Sequence, residues 1–297
     1  CPECGVKVPL APSWVIGKGT KTVAMLRKNG NRYDISVKMG ASAEEMKQAD
    51  AAGTVSSRGM LCPHCGKTTP ITALRKDRRD ENGNIIYGLR QWEQTDFDFR
   101  EDDIYSERLY AIKYEQPDGK RYYRAPNERD LQNEAKVKKI VAENIVAWQE
   151  QGLIPFMEIE DGDKTKEVMR NRGWTHWNHL FNARQLLTNS RLIKHIKAEK
   201  NRLLKVVGIL GLHKCADFNS RLCVWLNASC DEHGKNTFLN QALNTLFNYA
   251  TRSWIDLKKA WLYVINSYKI AKEQEITLLD ARIVLSYSNI WITDPPY

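Results

Sequence analysis

Two short motifs constrain this chain more than anything else in it. Cys1-Pro2-Glu3-Cys4-Gly5 and Cys62-Pro63-His64-Cys65-Gly66 are one pattern written twice. Two thiolates two residues apart can bind one tetrahedral ion from a tight turn. The glycine after the second cysteine lets the backbone turn back so that its N–H groups face the sulfurs. Two such turns supply four sulfurs, the closed ligand set of a structural zinc site with no position left for a substrate. A redox Cys-x-x-Cys would instead occur once, beside a βαβ unit. Cys1, Cys4, Cys62 and Cys65 are therefore the expected zinc ligands. The 57 residues between the pairs exceed the usual ribbon spacing, and a hairpin insert would fill them without moving the knuckles apart. His64, between two ligands, is expected to point outward.

Three further cysteines, Cys215, Cys223 and Cys230, have no pair spacing and read as core or surface residues, although His213 and His233 lie near them in sequence. Unpaired cysteines and the lack of a signal peptide predict a reducing, cytoplasmic setting. A hydrophobic content of 42% with 27% charged residues predicts a globular chain. The net charge of +9 makes nucleic acid the first candidate partner, with a merely basic protein as the plain alternative. No apolar run reaches the roughly 18 residues that a membrane helix needs. The chain opens on Cys1 and ends on Tyr297 straight after a strand-like run, which predicts a piece of a longer protein.

Residues 21–27 and 32–38 alternate around Asn29-Gly30-Asn31 and predict a hairpin. A second hairpin is expected from Tyr110–Tyr114, Pro117-Asp118-Gly119 and Arg121–Arg124. From residue 128 the period becomes helical. Leu131, Ala135, Ile140, Val141, Ile145 and Trp148 are assigned to one face of a helix that Gly152 and Pro155 end. Further helices are expected at 183–199, 201–211, 236–251 and 255–272, and strands at 282–285 and 289–293.

The chain closes on Trp291-Ile292-Thr293-Asp294-Pro295-Pro296-Tyr297. An apolar strand running into Asp-Pro-Pro-Tyr would place a carboxylate, peptide carbonyls and an aromatic ring at the carboxyl end of a strand, where open α/β sheets bind ligands. An exocyclic amine on a base is a poor nucleophile because its lone pair is delocalised into the ring. Acceptors for both of its protons draw the nitrogen toward tetrahedral geometry. Asp294 and the carbonyl of Pro295 would be those acceptors, Pro296 would stiffen the turn, and Tyr297 would stack on a flipped base. The plain alternative is a proline-rich turn with a packed tyrosine.

With these motifs the chain resembles the adenine-specific DNA methylases that contain a zinc ribbon. The resemblance rests on the two knuckles and on the closing Ile292–Tyr297. It is also carried by Gly173-Trp-Thr-His-Trp177 with Leu180-Phe181 and Arg184-Gln185-Leu186, and by Asp217-Phe-Asn-Ser-Arg221-Leu-Cys-Val-Trp225 with Asn236-Thr237-Phe238 and Gln241-Ala242-Leu243. It implies S-adenosylmethionine as methyl donor, DNA as partner, and Asp280 beside the cofactor's adenine, against a plain strand-edge aspartate. The family's main cofactor loop precedes its ribbon and is absent here. Gly17-Lys18-Gly19 is the nearest local pattern and reads as a loop glycine pair.

The expected fold is α+β or α/β. A zinc ribbon with a hairpin insert (1–75) and a β-rich connector (76–127) precede a helical region that leads into part of a Rossmann-like methyltransferase sheet (128–297). The expected activity is methylation of an amino nitrogen in DNA, adenine N6 first. An RNA base methyltransferase and a non-catalytic zinc-ribbon binding module are the alternatives. Lys194, Lys197, Lys200, Arg202 and Lys205, and Arg75, Lys76, Arg78 and Arg79, are candidate phosphate contacts, each weighed against an ordinary solvated face.

Overall fold

A computed structural model describes residues 1–163, 165–227, 232–239, 242–243 and 247–261. Residues 1–262 cluster as one unit and 263–297 as another. Asp280, Asp294, Pro295, Pro296, Tyr297 and the two expected C-terminal strands lie outside the described residues, as does Cys230.

The first hairpin forms as its turn chemistry requires. β1 (Val15–Gly17), β2 (Thr22–Asn29) and β3 (Arg32–Lys38) make an antiparallel sheet, with Asn29 paired to Arg32 across the turn and Gly30 at φ +60°. Its inner side carries Trp14, Ile16 and Ala24 into a core cluster with Ala11 and Tyr123. α1 (Ala43–Ala51) starts on a capping box, Ser42 with Glu45, and covers Val15 and Val23 through Met46 and Ala49. β4 (Val55–Ser56), β5 (Gly59–Leu61) and β6 (Thr68–Thr69) form a second small antiparallel sheet.

A short helix α2 (Ile71–Leu74) and the pair β7 (Arg78–Arg79) and β8 (Ile85–Ile86) follow. The second hairpin is β9 (Ile112–Glu115) with β10 (Arg121–Arg124), and Gly119 takes φ +80° in its turn.

α3 (Glu128–Glu150) is capped by Asn127 with Asp130 and ends at Gly152, φ +60°. Its buried stripe is Val137, Val141, Ile145 and Gln149. Ile140 and Leu131 face solvent, correcting the wider face expected from sequence. The stripe keeps an i, i+4 step where α3 packs on α5 (Ala183–Ala198), with Phe97, Ile154 and Phe181 closing the same cluster. Between them α4 (Lys166–Arg172) and a 3-10 turn at Trp177–Leu180 build a cluster of Trp92, Ile159, Val168, Trp174, Leu180 and Leu222. α6 (Arg202–Asp217) outruns its expected end. Its Gly208 lies so close to α5 that a Cβ would stand 2.9 Å from Ile196.

After α6 come β11 (Trp225–Leu226) paired with β12 (His233–Gly234), then β13 (Phe238–Leu239) paired with β14 (Ala242–Leu243), and α7 (Trp254–Trp261). The helix expected at 236–251 is corrected. Thr237 N–H bonds Asp217 O at 2.6 Å, its hydroxyl bonds the same oxygen at 2.7 Å, and Val224 bridges Tyr249. These tertiary bonds hold the backbone extended against a weak apolar period. The described residues are thus mixed α/β with small antiparallel sheets, and no parallel sheet is found among them. No described helix is long and apolar enough to cross a membrane.

Candidate metal centre

Each knuckle is built the same way. Gly5 N–H bonds Cys1 O and Gly66 N–H bonds Cys62 O, both at 2.9 Å, with Gly5 at φ +71° and Gly66 at φ +70°. A Cβ on either glycine would meet open space. Glycine is needed there for its left-handed conformation and not for lack of room. The second knuckle occupies the turn between β5 and β6, and Cys62 N–H closes on Lys67 O.

The long insert is pinched at its base. Thr54, 1% exposed, gives its hydroxyl to Pro9 O at 2.5 Å, receives the Ala11 N–H at 3.1 Å, and donates its own N–H to Ala11 O at 2.8 Å. Gly53 lies directly against Pro12 O, where a side chain would not fit. Lys7 N–H bonds Asn31 O at the tip of the first hairpin. The insert therefore folds out as a closed loop, and the knuckles meet.

They meet at metal-ligand spacing. The four Sγ atoms of Cys1, Cys4, Cys62 and Cys65 all lie within 4.8 Å of one another. Cys1 to Cys65 and Cys4 to Cys62 are each 3.7 Å. A tetrahedral ion with Zn–S bonds of about 2.3 Å spaces its sulfurs about 3.8 Å apart, whereas a disulfide needs about 2.05 Å. Burial pushes the Cys62 thiol up, but N–H groups of Cys65 and His64 outweigh it and hold the thiol below its ordinary range. The Tyr33 phenol is pushed up by burial and then by the charge of Cys62, Cys4 and Cys65. Four sulfurs converging with peptide dipoles fit a zinc ion, which would serve as a cross-link. His64 is exposed and lies against Lys28 Nζ at 2.9 Å, outside the ligand set.

Gly17-Lys18-Gly19 is not an anion cradle. The buried carboxylate of Glu232 accepts from Thr20 N–H at 2.8 Å and from Tyr123 OH at 2.8 Å, and a Cβ on Gly17 would strike it. Negative charge in the loop opposes phosphate.

No protein-family model, curated protein or solved structure matches this chain.

The two middle segments singled out from sequence converge on one buried cation. Arg221 is 2% exposed. Its guanidinium reaches Glu107 at 2.5 Å, the carbonyls of His179 and Phe181 at 2.8 and 2.6 Å, and Phe97 O at 2.7 Å. It lies 5.3 and 5.7 Å from the ring centres of Trp92 and Trp174. The sequence signal was a lone arginine beside Leu222-Cys223-Val224-Trp225, but its partner Glu107 could not be read. Cys215 and Cys223 are buried. Arg75 is buried too, paired with Asp77 at 2.5 Å, so it does not serve as a phosphate contact.

His179 is fully buried beside this cluster. Its Nδ1 accepts the N–H groups of Thr175 and His176, both at 3.1 Å, and its Nε2 donates to Glu93 O at 2.9 Å. Burial, aided by the charges of His176 and Arg221, pushes its pKa down to about 4. The unfolded state gains a proton near pH 6.5 while the folded state refuses it. Stability is therefore full above about pH 6.5 and falls, by about 1.4 kcal/mol per pH unit, as the pH drops toward 4. Urea titrations across this window should show that slope in the wild type and a flatter one in His179→Gln. Equal slopes would remove His179 as the cause, since acid sensitivity of the cysteines is common to both proteins.

Proposed function

We propose that this chain is part of an S-adenosylmethionine-dependent DNA amino-methyltransferase acting on adenine N6, with its four-cysteine cluster a structural zinc ribbon. The observation that carries the reading is Asp294-Pro295-Pro296-Tyr297 after an apolar run, in the chain that also holds the paired knuckles. The resemblance to zinc-ribbon adenine-specific methylases supports it, and the surplus of cations agrees with a polyanionic partner.

S-adenosylmethionine supplies an electrophilic methyl group, with Asp280 placed by the resemblance near its adenine. The chain's own residues prepare the amine. Asp294 accepts a hydrogen bond from one N6–H and the carbonyl of Pro295 from the other, which localises the nitrogen lone pair. Tyr297 stacks on the extruded base and fixes it in line. When bound, the cofactor would give its methyl group to N6 with its sulfonium leaving as a thioether, and Asp294 or water would take the surplus N6 proton.

In the longer protein, Asp294→Ala should lower methyl incorporation into duplex DNA by roughly 10² to 10³-fold, with DNA affinity nearly unchanged. The 297-residue chain alone should bind zinc and show no turnover, because the main cofactor loop is missing. Incorporation that survives Asp294→Ala would end the catalytic assignment, and faster incorporation into RNA than DNA would change the substrate.

A further inference from the structure

A cleft of about 300 Å³ opens between α3 and α5, and its chemistry is uneven. Trp148 and Ile140 form an apolar side. Asn144 lies between them on the same face of α3, and Ser190, Arg191 and Lys194 line the α5 side. Among the described residues no carboxylate lines it. Arg191 and Lys194 are exposed and one helical turn apart, so they share a face. Lys197, one turn further, gives its ammonium to Gln151 O at the end of α3 and braces the cleft's far end. Asn144 spends one amide proton on Ile140 O at 2.8 Å, which leaves its carbonyl oxygen for another partner.

Trp148 is half-buried, packing on the α3–α5 core while part of its indole lines the cleft, and an indole edge beside two cations suits a flat ring joined to an anionic group. We infer that this cleft binds a nucleobase with its phosphates, presented by a single strand of nucleic acid. The base lies against Trp148, Asn144 meets its polar edge, and Arg191 and Lys194 take the flanking phosphates. Ring stacking on an aromatic side chain combined with phosphate neutralisation is the general chemistry of strand binding. The cleft lies at the small end of ligand sites, about 300 to 1,000 Å³, and holds one nucleotide better than several. Among the described residues the side chains of Arg191 and Lys194 have no hydrogen-bond or ion-pair partner, and both are exposed, so substitution there should leave the fold intact.

The inference stands on this cleft and does not need the methyltransferase reading. Loss of methyl transfer with strand binding intact, or the reverse, separates the two. The test is fluorescence anisotropy of a labelled oligodeoxythymidylate with the full 297-residue chain at several salt concentrations. Arg191→Gln/Lys194→Gln should weaken binding by about tenfold and flatten the logarithmic salt slope by about 1.4, two phosphates' worth. Trp148→Leu should also weaken binding about tenfold, and Trp148→Phe, which keeps a ring, by less. Lys47→Gln/Arg58→Gln, the same charge removed from the ribbon insert, should leave affinity nearly unchanged. Three results would overturn the proposal: no binding by the wild type, equal losses in the two double variants, or displacement by free dTMP at concentrations comparable to the oligonucleotide.

Discussion

Cys62→Ser is expected to abolish stoichiometric zinc binding and to release both knuckles from the fold. Cys62 is the most enclosed of the four sulfurs, 0% exposed, and a serine hydroxyl is a poor zinc ligand. Structural zinc contributes on the order of 10 kcal/mol to small sites of this kind. The loss should be local. The insert keeps the core that Ala11, Trp14, Ile16 and Ala24 form with Tyr123 of β10, a cluster that includes no cysteine. Limited proteolysis of the variant, or of the wild type after chelation, should therefore cut near residues 1–10 and 57–70 and leave α3 and α5 intact. Bound zinc is measured by a chromophoric chelator after dialysis. A variant that keeps one zinc per chain, or a wild type indifferent to chelation, would remove the metal from the account.

The second large effect is expected at Arg221. Arg221→Met leaves the Glu107 carboxylate without its cation and strips donors from the carbonyls of Phe97, His179 and Phe181. Breaking a buried pair from one side costs about 3 to 5 kcal/mol, because a desolvated charge is left behind. Arg221→Lys should fall between, since an ammonium has three donors against the five of a guanidinium fork. Adding Glu107→Leu to Arg221→Met should recover part of the loss, and urea denaturation of the wild type, Arg221→Met, Glu107→Leu and the double variant gives the coupling. A cost below about 1 kcal/mol for Arg221→Met would mean that this hub does not hold the segments around residues 97, 107, 180 and 221 together.

Much of the local structure was legible because its causes are local. Asn29-Gly30 and Pro117-Asp118-Gly119 specify their turns, and the pattern from residue 128 specifies α3. The 236–251 segment was not legible in this way. Its apolar spacing suits a helix, and distant partners decide otherwise: Asp217 takes Asn236 and Thr237, and Val224 bridges Tyr249. Trp148 packs on the core face of α3, as its spacing predicts, while nothing in the local sequence sets Arg191 beside it. Their meeting needs α3 and α5 to lie side by side, which no local pattern states.

By itself the sequence determined which four cysteines form the cluster, because each Cys-x-x-Cys-Gly turn sets two sulfurs at the spacing a tetrahedral ion would take. Tertiary structure alone decided that the two turns meet across 57 intervening residues, through Thr54 and Gly53 closing on Pro9 and Pro12. It alone also gave Arg221 its partners and set Arg191 and Lys194 across from Trp148. Distant groups come together only when buried area and satisfied polar atoms repay the entropy of closing the chain between them, and that balance is a property of the whole packed molecule.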